Sequence, residues 1–257
     1  MLQLNYKKQG HGEPVILIHG LFGNLDNLGL LARPLSEQFE VISIDVRNHG
    51  LSPRAPAMDY PAMAGDVLAL LDTLGLDNVM LVGHSMGGKI AMQLAKMAPA
   101  RVRRLVVLDM APVAYPPLRH HDVFAGLQAV EAARCQGRGA ADRVMAESVS
   151  DPSVRQFLLK SYVSVDEQWQ FRFAVATLIA NYDAIMGWPD PKTVYSGPTL
   201  FLKGSESDYI RADDQARIIA QFPAARAKVV APTGHWLHAE KPALVARLVV
   251  DFLSTSG

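Results

Sequence analysis

The chain has 257 residues, 49% of them apolar and 19% charged, with 25 Lys plus Arg balanced by 25 Asp plus Glu. This composition is typical of a globular protein with a well-buried core, and the zero net charge excludes a general electrostatic attraction to nucleic acid or to an anionic membrane. Cys135 is the single cysteine, which excludes an internal disulfide framework and a cysteine-rich metal site.

The start of the chain lacks the apolar segment of a signal peptide, and no apolar run reaches the roughly 18 residues of a transmembrane helix. We therefore expect a cytoplasmic protein that binds neither nucleic acid nor membrane. We expect it to act as a monomer or a homodimer.

Short apolar runs with polar ends recur along the chain, as they do in strands that are buried on both faces of a parallel sheet. An alternating segment at 2–6 predicts an edge strand, and helical patterns with a capping residue at Asp59 or a terminal break lie between several of the runs. This alternation predicts a doubly wound, mostly parallel α/β sheet flanked by helices. The apolar runs are at 14–19, 39–45, 78–83, 104–109, 198–202 and 227–230, and the helical patterns at 59–75, 85–98 and 241–253.

The alternation breaks in the middle of the chain. Segments at 119–134, 151–162 and 167–180 have helical patterns, and no strand is predicted among them. We interpret residues 112–196 as a helical cap inserted into a core that is formed by residues 1–111 and 197–257. Such a cap would cover the carboxyl ends of the strands, where ligands bind in open α/β sheets.

Gly83-His84-Ser85-Met86-Gly87 fits the pattern G-x-S-x-G between a predicted strand and a predicted helix. In that context the serine lies in a strained turn, the glycines let the backbone pass closely, and the helix directs its amino end at developing negative charge. We therefore predict that Ser85 is a nucleophile.

A serine hydroxyl needs a general base within hydrogen-bond reach. His235 lies in the loop between the last predicted strand and the last predicted helix, which makes it the candidate base. His238 is three residues further on, and we interpret it as a packing residue.

Three carboxylates are candidates for the acid that orients the base. Asp109 ends the strand at 104–109, whereas Glu206 and Asp208 lie in the loop after the strand at 198–202. We favour Asp109, because its strand follows the nucleophile's helix and is expected to lie beside the nucleophile's strand. Asp208 is the second candidate and Glu206 the third.

The loop after the first strong strand, which begins His19-Gly20, is the candidate oxyanion loop. One backbone N–H from this loop and one from the residue after the nucleophile would stabilise an oxyanion. We predict Phe22 as the first donor, with Leu21 as the alternative, and Met86 as the second. The segment at 45–52 is interpreted as a hydrogen-bonded loop that supports the site.

Together these motifs resemble the α/β-hydrolase superfamily over nearly the whole chain. Longer strings resemble the YbfF-type esterases. The strings are H-G-L-F-G-N-L-D-N-L from His19, D-V-R-N-H-G-L-S-P from Asp45, G-H-S-M-G-G-K from Gly83, D-M-A-P-V from Asp109 and G-H-W-L-H-A-E-K-P from Gly234.

The resemblance implies an esterase or acyl-CoA thioesterase with a small helical cap and no cofactor or metal. It supports Asp109 as the acid, because Asp109 starts the D-x-A-P string, whereas Ser207 stands where many relatives carry an aspartate. It also suggests that the 119–121 segment, Arg119-His120-His121, contacts an acyl-CoA or another polar leaving group.

The expected activity is hydrolysis of short-to-medium acyl esters or thioesters, which are small-molecule substrates. Other functions compatible with the same fold are hydrolysis of a C–C bond, perhydrolysis, and ligand binding without catalysis. The last of these is disfavoured because a candidate exists for every member of a catalytic triad.

Overall fold

The structure is a computed structural model that describes residues 1–255. The strands are β1 (Tyr6–Gln9), β2 (Glu13–Ile18), β3 (Phe39–Ile44), β4 (Val79–His84), β5 (Val102–Leu108), β6 (Tyr162–Val165), β7 (Gln168–Phe171), β8 (Thr199–Gly204) and β9 (Ala225–Val230). The helices are α1 (Gly29–Leu35), α2 (Tyr60–Thr73), α3 (Met86–Met97), α4 (His121–Ala133), α5 (Arg138–Met145), α6 (Pro152–Leu159), α7 (Val175–Ala180), α8 (Tyr182–Met186), α9 (Gln215–Gln221), α10 (Leu237–Glu240) and α11 (Pro242–Leu253).

Seven strands pair into one sheet in the order β1-β3-β2-β4-β5-β8-β9. β1 is antiparallel to β3, whereas the other neighbouring strands of this sheet are parallel. The predicted mostly parallel sheet is therefore confirmed. Because β2, β4, β5, β8 and β9 are parallel, the loops that follow them meet at one edge.

The central strands are buried on both faces, which explains their continuous apolar sequences. In β2, Ile16 and Ile18 share one core cluster with side chains of α2 and α3, whereas Val15 and Leu17 share the opposite cluster with α1 and α11. Full burial of one such side chain contributes about 1.5–3 kcal/mol. The two clusters hold the sheet rigidly between two layers of helices.

The first strand lies four residues further along the chain than the alternating pattern at 2–6 predicts. The pairing with β3 begins at Tyr6, opposite Ile44, and ends at Gln9. Leu4 is buried in the core, and the Leu2 N–H donates to Asp66 Oδ1 at 2.8 Å. The alternation before Tyr6 thus arises from packing of an extended segment and not from strand pairing.

Helices α2, α3 and α11 confirm the three helical patterns of the predicted core, within one or two residues at each end. The carboxylate of Asp59 accepts a hydrogen bond from the Ala62 N–H at 2.8 Å, so the predicted cap of α2 is present. None of the helices in residues 1–255 combines the length and the apolarity that crossing a bilayer requires.

Residues 112–196 add no strand to the seven-stranded sheet, but the expectation that they contain no strand is wrong. Helices α4 to α8 occur with a hairpin of β6 and β7, so the first part of the predicted helix at 167–180 is a strand. Asp166 and Glu167 form the two-residue turn, with φ of 48° and 63°. Such turns usually contain glycine or asparagine, and without one the sequence gives no hairpin signal.

Candidate active site

The serine of the G-x-S-x-G pattern lies in the turn between β4 and α3. Ser85 has φ 54° and ψ −120°, a strained conformation for an L-residue that costs on the order of 1–3 kcal/mol. A Cβ on Gly83 would lie 2.2 Å from the carbonyl oxygen of Gly87, and a Cβ on Gly87 would lie 2.1 Å from that of Ile18. The two glycines therefore permit the close passage that raises Ser85 beyond the end of β4.

Side chains from three loops at the same edge of the sheet form a chain of hydrogen bonds. Ser85 Oγ lies 3.0 Å from His235 Nε2, and His235 Nδ1 lies 2.7 Å from Asp109 Oδ2. The three residues follow β4, β9 and β5, respectively. When Nδ1–H donates to the carboxylate, Nε2 is free to accept the serine proton. The structure thus brings the predicted nucleophile, base and favoured acid together.

The Asp109 carboxylate is fully buried, and each of its oxygens has a donor. The Gly204 N–H donates to Oδ1 at 3.0 Å, and the Ser207 hydroxyl donates to Oδ2 beside His235. A buried carboxylate is tolerated when its oxygens are hydrogen-bonded in this way. Ser207, at the position where the resemblance places the usual acid, instead holds the carboxylate that comes from the neighbouring strand.

The two alternative acids lie elsewhere. Asp208 pairs with Arg119 and lies 3.7 Å from Arg211, and the hydrogen bond from Arg119 lowers the pKa of its carboxyl group. Glu206 is exposed. Within residues 1–255, neither carboxylate is hydrogen-bonded to His235.

The structure contradicts the preference for Phe22 as an oxyanion donor, because its N–H donates to His49 Nε2 at 3.2 Å. The N–H groups of Leu21 and Met86 have no hydrogen-bond acceptor within residues 1–255. Both residues line a small cavity beside Ser85. The available pair of donors is therefore Leu21, the alternative that the sequence left open, and Met86.

Two buried histidines fix the oxyanion loop. His49 accepts the N–H described above on Nε2 and donates from Nδ1 to the Arg47 carbonyl oxygen at 3.0 Å. His19 likewise accepts from the Val46 N–H at 3.0 Å and donates to the Gly20 carbonyl oxygen at 2.8 Å. A ring that both donates and accepts is neutral. Burial lowers the pKa of both imidazoles and so favours that neutral form.

The segment at 45–52 forms the hydrogen-bonded support that the sequence predicts. The Asp45 carboxylate accepts from the N–H groups of Leu25 at 2.7 Å and Leu51 at 2.8 Å. Because Leu25 follows the oxyanion loop, these bonds join the loops after β2 and β3.

Two further histidines pack behind the base. His84 donates from Nε2 to the His235 carbonyl oxygen at 3.0 Å, and its ring centroid lies 4.3 Å from that of His238. His238 is buried, as expected of a packing residue, and its Nδ1 has no partner within residues 1–255. Burial lowers the pKa of His84, and it lowers the pKa of His238 to about 3.

We expect the protein to lose stability when the pH falls below 6.5. Between pH 6.5 and the lowered pKa, the unfolded chain binds protons that the folded chain does not, so stability is present above this range and lost within it. Each buried histidine contributes a slope of about 1.4 kcal/mol per pH unit. Thermal unfolding at pH 7.5, 6.5 and 5.5 measures this effect. His238→Phe should show a shallower decrease than the wild type, and an unchanged slope would contradict the assignment to His238.

A stack of planar groups, which the sequence motifs do not indicate, orients the base. The ring centroids of Tyr209 and His235 lie 3.7 Å apart, with an angle of 15° between the ring planes. The Arg119 guanidinium lies 3.8 Å from the Tyr209 ring centroid. Tyr209 limits rotation of the imidazole, and Arg119 links this support to the segment at 112–196. The only signal for Tyr209 is its place in the loop after β8, at the edge of the sheet where functional residues gather.

A cavity of about 320 Å³ opens at Ser85 and His235. Arg119 and His120 line it, whereas His121 is exposed beside Asp122. Its other walls are mostly apolar, and several come from α4 and α6. These apolar residues include Leu21, Phe22, Leu28, Val123, Val154, Phe157, Leu158 and Trp236.

Comparisons with known proteins agree with this architecture. The family described as alpha/beta hydrolase fold matches residues 13–242. Esterase YbfF of Escherichia coli is 44% identical over 96% of this chain and 96% of its own length. The sn-1-specific diacylglycerol lipase ABHD11 of Mus musculus is 40% identical over 93% of this chain and 80% of its own length. A solved structure of a marine microorganism esterase has a TM-score of 0.94 and 34% identity, covering 98% of this chain and all of that one.

Proposed function

The chain belongs to the α/β-hydrolase fold family and is an ester-cleaving enzyme, and we propose that it acts as a serine esterase through Ser85, His235 and Asp109. The observation that carries the proposal is the continuous chain of contacts from Ser85 Oγ through His235 to Asp109, at 3.0 and 2.7 Å. Acyl transfer requires a nucleophile, a base and an orienting acid in this order.

In the first half of the reaction, His235 Nε2 takes the proton of Ser85 as Oγ attacks the acyl carbonyl carbon. The carbonyl oxygen becomes an oxyanion, which the N–H groups of Leu21 and Met86 stabilise. His235 then gives its proton to the leaving oxygen, the carbon–oxygen bond breaks, and an alcohol departs. The acyl group remains on Ser85 as an ester.

In the second half, His235 takes a proton from water as the water oxygen attacks the acyl-enzyme. Collapse of the second tetrahedral intermediate returns the proton to Ser85 Oγ and releases the carboxylic acid. Throughout, Asp109 holds the Nδ1–H tautomer of His235 and stabilises the imidazolium. The reaction as proposed uses protein groups and water alone.

We assign residues 112–196 to a cap over this site, with residues 1–111 and 197–255 as the core. Arg119, His120 and the apolar residues of α4 and α6 in the cavity wall support this assignment. A short-to-medium acyl ester is the proposed substrate, and a thioester fits the same steps with a thiol as the leaving group. The proposal includes a cytoplasmic location, with which the single, buried and free Cys135 is compatible, and a monomeric or homodimeric state.

A fluorophosphonate probe tests the proposed nucleophile directly. We expect the intact mass of the wild-type protein to increase by one probe adduct, and peptide mapping to place the adduct on Ser85, because the adjacent base activates this hydroxyl. The Ser36→Ala variant, which changes a half-buried serine outside the candidate site, should be labelled like the wild type. An adduct on another residue, or no adduct while p-nitrophenyl acetate is hydrolysed, would refute the proposal.

A further inference from the structure

Two cavities of very different size meet at Ser85. The larger, described above, has a volume of about 320 Å³, and the smaller has about 20 Å³. Leu21, Ser85, His120 and Tyr209 line both. A substrate with its carbonyl carbon at Ser85 therefore has one substituent in each direction.

The position of the base determines which half of an ester enters which cavity. His235 and Trp236 line the large cavity and not the small one, whereas Met86 and Lys89 line the small cavity and not the large one. The leaving oxygen must receive its proton from His235 Nε2, so the alcohol half extends on the histidine side. The acyl substituent then points past Met86, into the small cavity.

From this arrangement, which rests on the proposed serine-esterase function, we infer that the preferred substrates are esters of acetyl-sized acids with larger apolar alcohols. A cavity of about 20 Å³ holds roughly one water-sized group. That is the size of the acetyl methyl group. The large cavity offers apolar walls from Val154, Phe157 and Trp236 to the alcohol.

The walls of the small cavity are fixed by buried hydrogen bonds. Lys89 is buried and donates to the carbonyl oxygens of Met186 at 3.0 Å and Gly187 at 2.7 Å. The hydroxyls of Tyr60 and Tyr115 each donate to a backbone carbonyl, at 2.5 and 2.6 Å. Enlarging the cavity for a longer acyl chain would break such bonds, and each buried group left without a partner costs about 1–3 kcal/mol.

Met110 is the wall residue whose side chain can be shortened with the least disturbance to these bonds. It is buried, it lines the small cavity but not the large one, and it makes no side-chain hydrogen bond within residues 1–255. Met110→Ala removes the thioether and enlarges the small cavity on this side. Val154 lines the large cavity but not the small one, and it provides the matched control on the alcohol side.

Butyl acetate and ethyl butyrate are isomers of equal size that exchange the lengths of the acyl and alcohol halves. We expect the wild-type enzyme to favour butyl acetate in kcat/KM by at least about tenfold, since one misfitting methylene costs about 10–200-fold. Met110→Ala should raise kcat/KM for ethyl butyrate at least about tenfold. Val154→Ala should lower kcat/KM for butyl acetate and leave ethyl butyrate disfavoured.

Fluorophosphonate labelling of Ser85, done in parallel, separates the two levels of the proposal. Labelled enzyme that hydrolyses ethyl butyrate as fast as butyl acetate, or hydrolyses neither, would overturn the acetyl-sized specificity and leave the nucleophile intact. Labelled Met110→Ala with an unchanged preference would overturn the role of the small cavity. A wild-type enzyme that is not labelled and hydrolyses neither ester would overturn the proposed function itself.

Discussion

Replacement of Ser85 by alanine is expected to lower kcat for p-nitrophenyl acetate by about 10⁶-fold, because the acyl-enzyme cannot form without Oγ. The oxyanion donors and the cavity remain, so weak hydrolysis above the rate in water is expected to persist. Steady-state rates at pH 7.5, expressed per mole of folded protein, measure the effect, and fluorophosphonate labelling, which requires Oγ, should be absent from the variant. The backbone at this position keeps its positive φ in the alanine variant, so the fold should be retained.

Ser36→Ala is the matched control, since the Ser36 hydroxyl donates only to the Arg33 carbonyl oxygen on an exposed helix end. Its kcat should equal that of the wild type. Thermal unfolding of both variants checks that any loss of rate is not a loss of folded protein. A Ser85→Ala enzyme that retained even about one hundredth of the wild-type kcat would require another nucleophile, because loss of a triad serine costs far more.

The sequence predicts the central sheet well because strands that are buried on both faces have continuous apolar sequences. Strands β2, β4 and β5 are continuous apolar runs, and the structure confirms them within two residues at either end. The apolar pattern does not predict β1 or the β6–β7 hairpin correctly. Strand β1 is an exposed edge strand that pairs on one side only. The hairpin turns at Asp166-Glu167 without the glycine that is typical of such turns.

The site is predictable where its chemistry depends on local sequence. Ser85 is identified by the glycines that its turn requires, and His235 by its place after the last strand. The oxyanion donor cannot be identified in this way. The Phe22 N–H is engaged by a hydrogen bond to His49, which lies 27 residues away in the sequence. The stack of Tyr209 on His235 also depends on side-chain packing between distant loops.

The choice between acids shows the same limit. The sequence supplies carboxylates on two loops that meet at one edge of the sheet, and chain order alone permits both Asp109 and Asp208. In the structure, the two carboxylates differ in the residues to which they are hydrogen-bonded. Arg119 engages Asp208, whereas Ser207 and Gly204 direct the Asp109 carboxylate at His235. These partners become apparent only when the loops after β5 and β8 are placed together.

Asp109→Asn is expected to reduce kcat by about 10⁴-fold with little change in the fold. In the wild type, His235 and Ser207 both donate to Oδ2 while the Gly204 N–H donates to Oδ1. An asparagine whose oxygen keeps the Gly204 bond presents an NH₂ group to two donors. His235 would then carry its proton on Nε2, where it cannot accept the proton of Ser85.

Asp208→Asn is the matched control for this substitution, since it makes the same chemical change one residue beyond Ser207. Asp208 is 59% exposed and its ion pair with Arg119 is a surface interaction, which is worth at most about 1 kcal/mol. We therefore expect its kcat to change by less than about fivefold. The kcat of both variants on p-nitrophenyl acetate, with the rate of fluorophosphonate labelling, decides between the two carboxylates. If Asp208→Asn were the inactive variant and Asp109→Asn the active one, the hydrogen bond from His235 to Asp109 would not be the catalytic one, and the loop after β8 would supply the acid.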